Sequence, residues 1–468
     1  MELKKATSSN SFFVLFNNFI KRPSTGTILL LLCTFVALLW ANSPWGSVYE
    51  RFFSTIIGIN IGNISFEHDL LHWINDGLMA VFFLMIGLDI KQEMVAGDLT
   101  DLRQASLPLV AAVGGVIAPA GIFILFNHQP PEIAGWGIPI ATDIAFSLAI
   151  LHALGRRIPV GILIFLATLA IADDLYAIIV IALFYGTAIS WFYLLAAAFI
   201  FALLLLFNRL GNNNMLLYII LGLVLWATLI NSGVHATIAG VLLAITIPAK
   251  SKINSQDFLA QTTKELNKLQ DSNLSGYDIL VSKPTRKTLE QINYFSCSFQ
   301  PPLQRLKTTI KPFVYLFIVP VFALANAGVI IDTSSIATLK EPLALGIMLG
   351  LVIGKPLGIT LTTWLLVHFK VTTLPKNVTW HHMIGAGSLA GIGFTMCIFI
   401  ASLSFTSNDL LNTAKISILL ASAISVIVGT LILLATQKKC EPERNSVPQK
   451  GHANNSNRVA NVEATSQC

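Results

Sequence analysis

Runs of about twenty apolar, nearly uncharged residues recur along almost the whole chain. The stretch from Ile416 to Ala435, for instance, contains no Asp, Glu, Lys or Arg. Backbone groups in lipid must bond within their own segment, so each such run can only be a helix crossing a bilayer. Composition agrees, with 54% hydrophobic residues, 12% charged residues and a mean hydropathy of +0.71. A soluble domain carries about a quarter charged residues, because its surface faces water. Apolar side chains in this excess need lipid as their solvent.

The runs lie near 26–41, 70–95, 105–126, 133–154, 159–185, 191–207, 215–229, 233–248, 311–328, 344–367, 382–404 and 412–437, about twelve spans on the 20-residue ruler. Basic residues in the connections orient them. With the amino terminus inside, the inner segments hold Lys91, Arg103, Arg156, Arg157, Arg209, the basic stretch 250–307, Lys370, Lys376, Lys438 and Lys439. The outer segments hold only Arg51 and Lys340. One assignment therefore satisfies the positive-inside rule in every loop, with both termini cytoplasmic. The net charge of +6 follows from this distribution and gives no nucleic-acid surface.

The expected fold is an all-α integral membrane protein, with a membrane transport domain over 1–437. A long cytoplasmic loop at 250–302 separates spans eight and nine, and a polar tail at 438–468 is expected to be disordered. Within the loop, Phe258, Leu259, Thr262, Leu266 and Leu269 recur at helical spacing. Residues 42–69 form an outer connection with the character of a hairpin. No cleavable leader is evident before the first span. The five cysteines have neither metal-ligand nor disulfide spacing.

Ionisable residues inside spans are costly and mark function by default. Asp173 and Asp174 are adjacent within the apolar run Phe165–Leu183. Neighbours on a helix point about 100° apart, so both carboxylates can line one cavity. Two carboxylates this close, out of water, titrate as a unit and can hold protons near neutral pH. Deprotonated, they offer hard oxygens to a small hard cation. A helix-capping or interfacial pair is the competing explanation, and the apolar flanks of about eight residues on each side speak against it.

Ala141-Thr142-Asp143 follows Pro139 in mid-span, where a helix tends to break and leave free ends at membrane depth. Asp143 would offset the positive end of a half-helix, and Thr142 adds a hydroxyl and a carbonyl that could ligate a cation. A simple proline kink with a buried cap is the alternative. Gly391-Ile392-Gly393 interrupts a second span, which also holds Gly385 and Gly387. Close helix packing is its competing role. The spans over 105–185 and 344–437 form two sets of three, and the interrupted one is the middle of each. Broken segments placed alike in two halves point to a transporter's ion site.

Lys355, in Gly354-Lys355-Pro356, needs a partner at such depth unless it snorkels to the interface, and Asp173 is the obvious one. At the inner mouth, Asp89, Lys91 and Glu93 fit a solvated helix end and pH sensing equally well. His235, in Ser232-Gly233-Val234-His235-Ala236, is more often a packed histidine than a proton relay.

Taken together, these residues closely resemble the NhaA family of bacterial sodium/proton antiporters. The likeness rests on Trp73-Ile74-Asn75-Asp76, Ala141-Thr142-Asp143-Ile144-Ala145-Phe146, Asp173-Asp174, Ser232-Gly233-Val234-His235-Ala236-Thr237, Ala325-Asn326-Ala327-Gly328, Gly354-Lys355-Pro356-Leu357-Gly358 and Gly391-Ile392-Gly393-Phe394-Thr395-Met396, in family order across about 26–437. It implies twelve helices in two inverted repeats, with two interrupted helices crossing at mid-membrane, an arrangement for which this family is itself a standing example. It further implies electrogenic, pH-regulated export of Na+ or Li+ against external H+ in the bacterial inner membrane. Asp174, Asp173 and Thr142 would bind the ion and protons, Asp143 and Lys355 would compensate the helix ends, and Asp89, Glu93 and His235 would take part in pH regulation. The expected partners are the lipid bilayer, Na+, Li+ and H+, with no cofactor and no nucleic acid; a homodimer is left open.

Three features depart from the family pattern. The start of the ninth helix, Arg305-Leu306-Lys307-Thr308-Thr309-Ile310-Lys311-Pro312, lacks the usual acidic and histidine residues. Gln92 stands where the family has a basic residue, and the shorter Asp89 where it has a longer acid. Loop 250–302 is also longer.

Three rivals read less well. An intramembrane aspartyl protease would need its aspartates on separate helices and a Gly-x-Gly-Asp step. A passive channel does not call for Lys355 and two broken segments, and a carrier of organic solutes would want a roomier, more aromatic pocket. Nothing reads as a phosphate-binding loop.

Overall fold

The computed structural model describes residues 24–61, 64–97, 102–155, 158–186, 188–251, 253–271, 283–332 and 337–436. The start before residue 24, Arg156, Arg157 and the tail 438–468, on which expectations of sidedness and disorder rest, lie outside the described residues.

Helices occupy each apolar run. They are α1 (Ser24–Ala41), α2 (Gly46–Phe53), α3 (Leu70–Ala96), α4 (Leu102–Phe126), α5 (Ile144–Ala153), α6 (Val160–Phe184), α7 (Trp191–Arg209), α8 (Met215–Ile230) and α9 (Ile238–Thr246). Two loop helices follow, α10 (Ser255–Asp271) and α11 (Lys283–Phe299). The chain then forms α12 (Pro302–Asn326), α13 (Pro342–His368), α14 (Trp380–Ala390), α15 (Phe394–Ser404) and α16 (Asn408–Ala435). Among the described residues, eight helices are long and apolar enough to cross a membrane, or up to ten if bent pairs count as one span. Large apolar side chains stand outward on them, such as Phe192, Leu195 and Phe199 on α7. An exposed stripe of this kind suits lipid and would be a liability in water.

The run at 233–248 is less helical than its composition suggests. Gly233 adopts a left-handed φ of +85°, and a Cβ there would lie 2.3 Å from the Ala188 carbonyl oxygen. Only glycine fits such a corner, so the chain turns through 233–237 and α9 keeps nine residues. The ninth run is longer than expected, because Pro302 starts α12 well before residue 311. The Leu303 N–H donates to the Pro248 carbonyl at 3.1 Å and closes the base of the loop.

Within that loop, α10 forms where the apolar spacing indicated it, whereas α11 was not foreseen. The two meet through Phe258 and Phe299, stacked at 4.5 Å. The outer connection does contain a hairpin, β1 (Ile56–Ile61) antiparallel to β2 (Ile64–Asp69), the only strands among the described residues.

Small residues let helices cross in backbone contact. On α4 and α13 a Cβ at Gly358 would lie 2.1 Å from the Gly114 carbonyl oxygen, and one at Gly354 would lie 2.8 Å from Pro119 Cα. Backbones in such contact are the usual product of small residues in membrane helices. A π-helical turn, Gly350–Gly354, lies within α13 directly before Lys355, and such turns recur at functional sites.

Candidate ion-binding site

Both expected helix breaks are present. A 3₁₀ segment, Glu132–Ile140, leads into the extended residues Ala141–Asp143 before α5 begins. The second break, at Gly391–Gly393, separates α14 from α15 with a bend of 45°. The breaks touch each other, since the Asp143 N–H donates to the Ile392 carbonyl at 2.7 Å. Glycine is needed here for space: a Cβ on Gly391 would lie 2.4 Å from the Leu351 carbonyl oxygen, and one on Gly393 2.0 Å from Cys397 Sγ.

Asp143 spans two helix N-termini. Its Oδ1 accepts from the Phe146 N–H of α5 at 3.1 Å, and its Oδ2 accepts from the Thr395 N–H at 3.3 Å and the Thr395 hydroxyl at 2.6 Å. A carboxylate facing two positive helix ends is well placed electrostatically. Thr395 was not singled out from sequence; its position just after a glycine break, where Thr can serve a helix start, was the available signal.

Asp173 and Asp174 lie in α6, 0% and 1% exposed. Lys355, also fully buried, places its Nζ 2.5 Å from Asp173 Oδ2. Thr142 Oγ1 is 2.8 Å from that same oxygen and 2.8 Å from the Ala390 carbonyl oxygen. A hydroxyl has one proton to give, so Thr142 donates either to a charged Asp173 or to the end of α14. The hydroxyl thereby couples the charge on Asp173 to the break. Asp173 Oδ1 and Asp174 Oδ1 are both buried without a hydrogen-bond partner. Buried carboxylate oxygens are costly unless something charged or a proton completes them.

A cavity of about 200 Å³ reaches this cluster from one end of the bundle. Asp174, Asp143, Thr142 and Thr395 line its inner part, and Asp89, Glu93, Lys307 and Lys311 its outer part. At that end the charged side chains of α3 are partly exposed and make specific contacts. Lys307 forms an ion pair with Asp89. Lys91 donates to the Ile245 carbonyl at 2.6 Å and also to Ile247, so it caps the C-terminus of α9, where a cation is favoured.

His235 does not line the cavity. Its Nε2 meets the Tyr185 carbonyl, where α6 ends. Tyr185 itself donates to the Ala134 carbonyl at 2.9 Å and accepts from the Gly137 N–H at 3.1 Å, pinning the 3₁₀ segment. Nothing in the sequence pattern had singled it out. The structure thus gathers Asp173, Asp174, Thr142, Asp143, Lys355, Gly391 and Gly393 at one crossing, puts Asp89 and Glu93 at the far end of its access path, and leaves His235 apart.

Buried charges at the crossing of two broken helices, in a bundle of lipid-length helices, define a membrane ion transporter. The family model described as Na+/H+ antiporter 1 matches residues 17–433. The chain belongs to this family, whose members are secondary transporters and not enzymes. The protein named Na(+)/H(+) antiporter NhaA from Christiangramia forsetii is 44% identical over 422 residues, 90% of this chain and 94% of that one. Its namesake from Oleidesulfovibrio alaskensis is 42% identical over 429 residues, with 92% and 95% coverage. The one from Helicobacter pylori is 44% identical over 441 residues, covering 94% and 99%.

Proposed function

We propose that this protein exports Na+ or Li+ in exchange for external H+ across the bacterial inner membrane, by alternating access around Asp173 and Asp174. Twelve passes with both termini in the cytoplasm, the two sets of three related as inverted repeats, complete the architecture. One observation carries the reading: two adjacent carboxylates are fully buried, each with an oxygen lacking a partner. Such a pair can be completed by protons or by a small cation, and not by both together. Competition for one site couples the two gradients without ATP.

Asp174, which faces the cavity, is the principal cation ligand. Asp173 is shared between the ion, the proton and Lys355, and the Lys355 pair separates as sodium enters. Asp174, Asp173 and Lys355 can each hold a proton around one cation site. More than one proton can therefore return for each sodium that leaves, which makes the exchange electrogenic. Thr142 lies beside the ion, while Asp143 holds the positive ends of α5 and α15. Asp89 and Glu93 stand on the cytoplasmic approach, where protonation would tune access and so regulate the exchange by pH.

Everted vesicles carrying a proton gradient test the proposal. Sodium or lithium added to the wild-type protein is expected to collapse the gradient, and Asp174→Asn to abolish the response. No sodium-dependent collapse at any pH would refute the exchange reading, and retained exchange in Asp174→Asn would refute the site.

A further inference from the structure

Lys307, Lys311, Tyr315 and Val319 recur every four residues along α12 and form one wall of the access path, as spacing on a single helix face requires. Across from them stand Asp89 and Glu93 on α3, with Phe82, Met85 and Ile86 further in. The path of an incoming cation therefore opens between two ammonium groups and two carboxylates. Lys307 does not simply extend into solvent. It pairs with Asp89 and donates to Gln92 Oε1 at 2.9 Å. The two paired side chains are only 18% and 22% exposed, so salt screens them less than a surface pair.

We infer that Lys307 is a tethered cation that competes with the transported ion for Asp89 and so sets the affinity for sodium on the cytoplasmic side. This rests on the exchange reading above. Asp89 can hold an arriving ion with both carboxylate oxygens only when the ammonium leaves Oδ1. A tethered group acts at an effective concentration in about the millimolar range or higher, so dilute sodium is held back and concentrated sodium is admitted. Without Lys307 the lining would set Asp89 and Glu93 against Lys311 alone, a net negative charge that concentrates cations of every kind. A purely mechanical role, holding α12 against α3, predicts something different. Loss of a strut lowers the maximal rate or the amount of folded protein, whereas loss of a competitor lowers KM.

The test measures sodium-dependent collapse of a proton gradient in everted vesicles, whose outer face is the cytoplasmic one, using the full-length chain. Lys307→Gln is expected to lower KM for Na+ about three- to tenfold with the maximal rate held within about twofold. Asp89→Asn, which frees Lys307 in the mouth, is expected to raise KM. The double variant restores the wild-type net charge and is expected to fall between the two, and Lys307→Arg to match the wild type. An unchanged or raised KM in Lys307→Gln overturns the inference while leaving exchange itself intact. If that variant fails to reach the membrane, Asp89→Asn decides alone, and an unchanged or lowered KM there overturns it. A wild-type protein without sodium-dependent exchange overturns the exchange reading and this inference with it.

Discussion

Thr395 and Asp143 show how much a single hydroxyl can carry in a buried site. The Thr395 side chain donates at 2.6 Å to a carboxylate that is 2% exposed, and a hydrogen bond to a charged group contributes about 1.5–3 kcal/mol. Thr395→Val keeps the shape and removes the donor. It is expected to destabilise the protein by about that amount, read as earlier thermal unfolding in detergent, whereas Thr395→Ser should retain most of it. Equal stability of Val and wild type would show that the bond contributes nothing. Asp173, Asp174, Asp143 and Lys355 were legible in the sequence because charge at membrane depth stands out against apolar neighbours. Thr395, Tyr185 and the capping role of Lys91 were not, since their partners lie far away along the chain. The distance from Lys91 to Ile245 is 154 residues.

At the scale of elements, glycine decides how near Lys355 comes to Asp173. Gly114 and Gly358 let α4 and α13 touch, with 2.1 Å between a Gly358 Cβ and the Gly114 carbonyl oxygen. Gly358→Ala must part these helices and draw Lys355 back, so exchange is expected to fall more than tenfold with no charge altered. Gly121, also on α4, has nothing within 4 Å of a Cβ, and Gly121→Ala is expected to leave exchange intact. Equal effects of the two substitutions would refute this account of the crossing. The breaks at Thr142 and Gly391 could be read from Pro139 and from glycine density, because both act on the local backbone. The shortness of α9 could not, because the left-handed turn at Gly233 packs against Ala188, a neighbour 45 residues earlier in the chain, leaving no room for a Cβ. Helix α11 was missed although Leu289, Ile292, Phe295 and Phe299 recur at helical spacing and mark a face for it.

For the whole molecule, the basic residues in the loops set an orientation that labelling can check. In a cysteine-free background, Lys340→Cys is expected to react with an impermeant maleimide only from the periplasmic side, and Lys376→Cys only from the cytoplasmic side. The same side for both would break the alternation on which twelve passes rest. Asp89 and Glu93 belong to this scale as well, since they share one cavity with Asp174, the route by which the proposed regulation would reach the site.

Competition at Asp173 and Asp174 is the claim on which the whole account depends. It is tested most directly by KM for Na+ as a function of pH, with purified protein in proteoliposomes and the maximal rate followed in parallel. Protons and sodium contending for the same oxygens require KM to rise with acid, approaching about tenfold per pH unit per competing proton once the pair is mostly protonated, while saturating sodium restores the rate. A KM that stays constant while the maximal rate falls with acid would place the proton elsewhere and contradict the shared site.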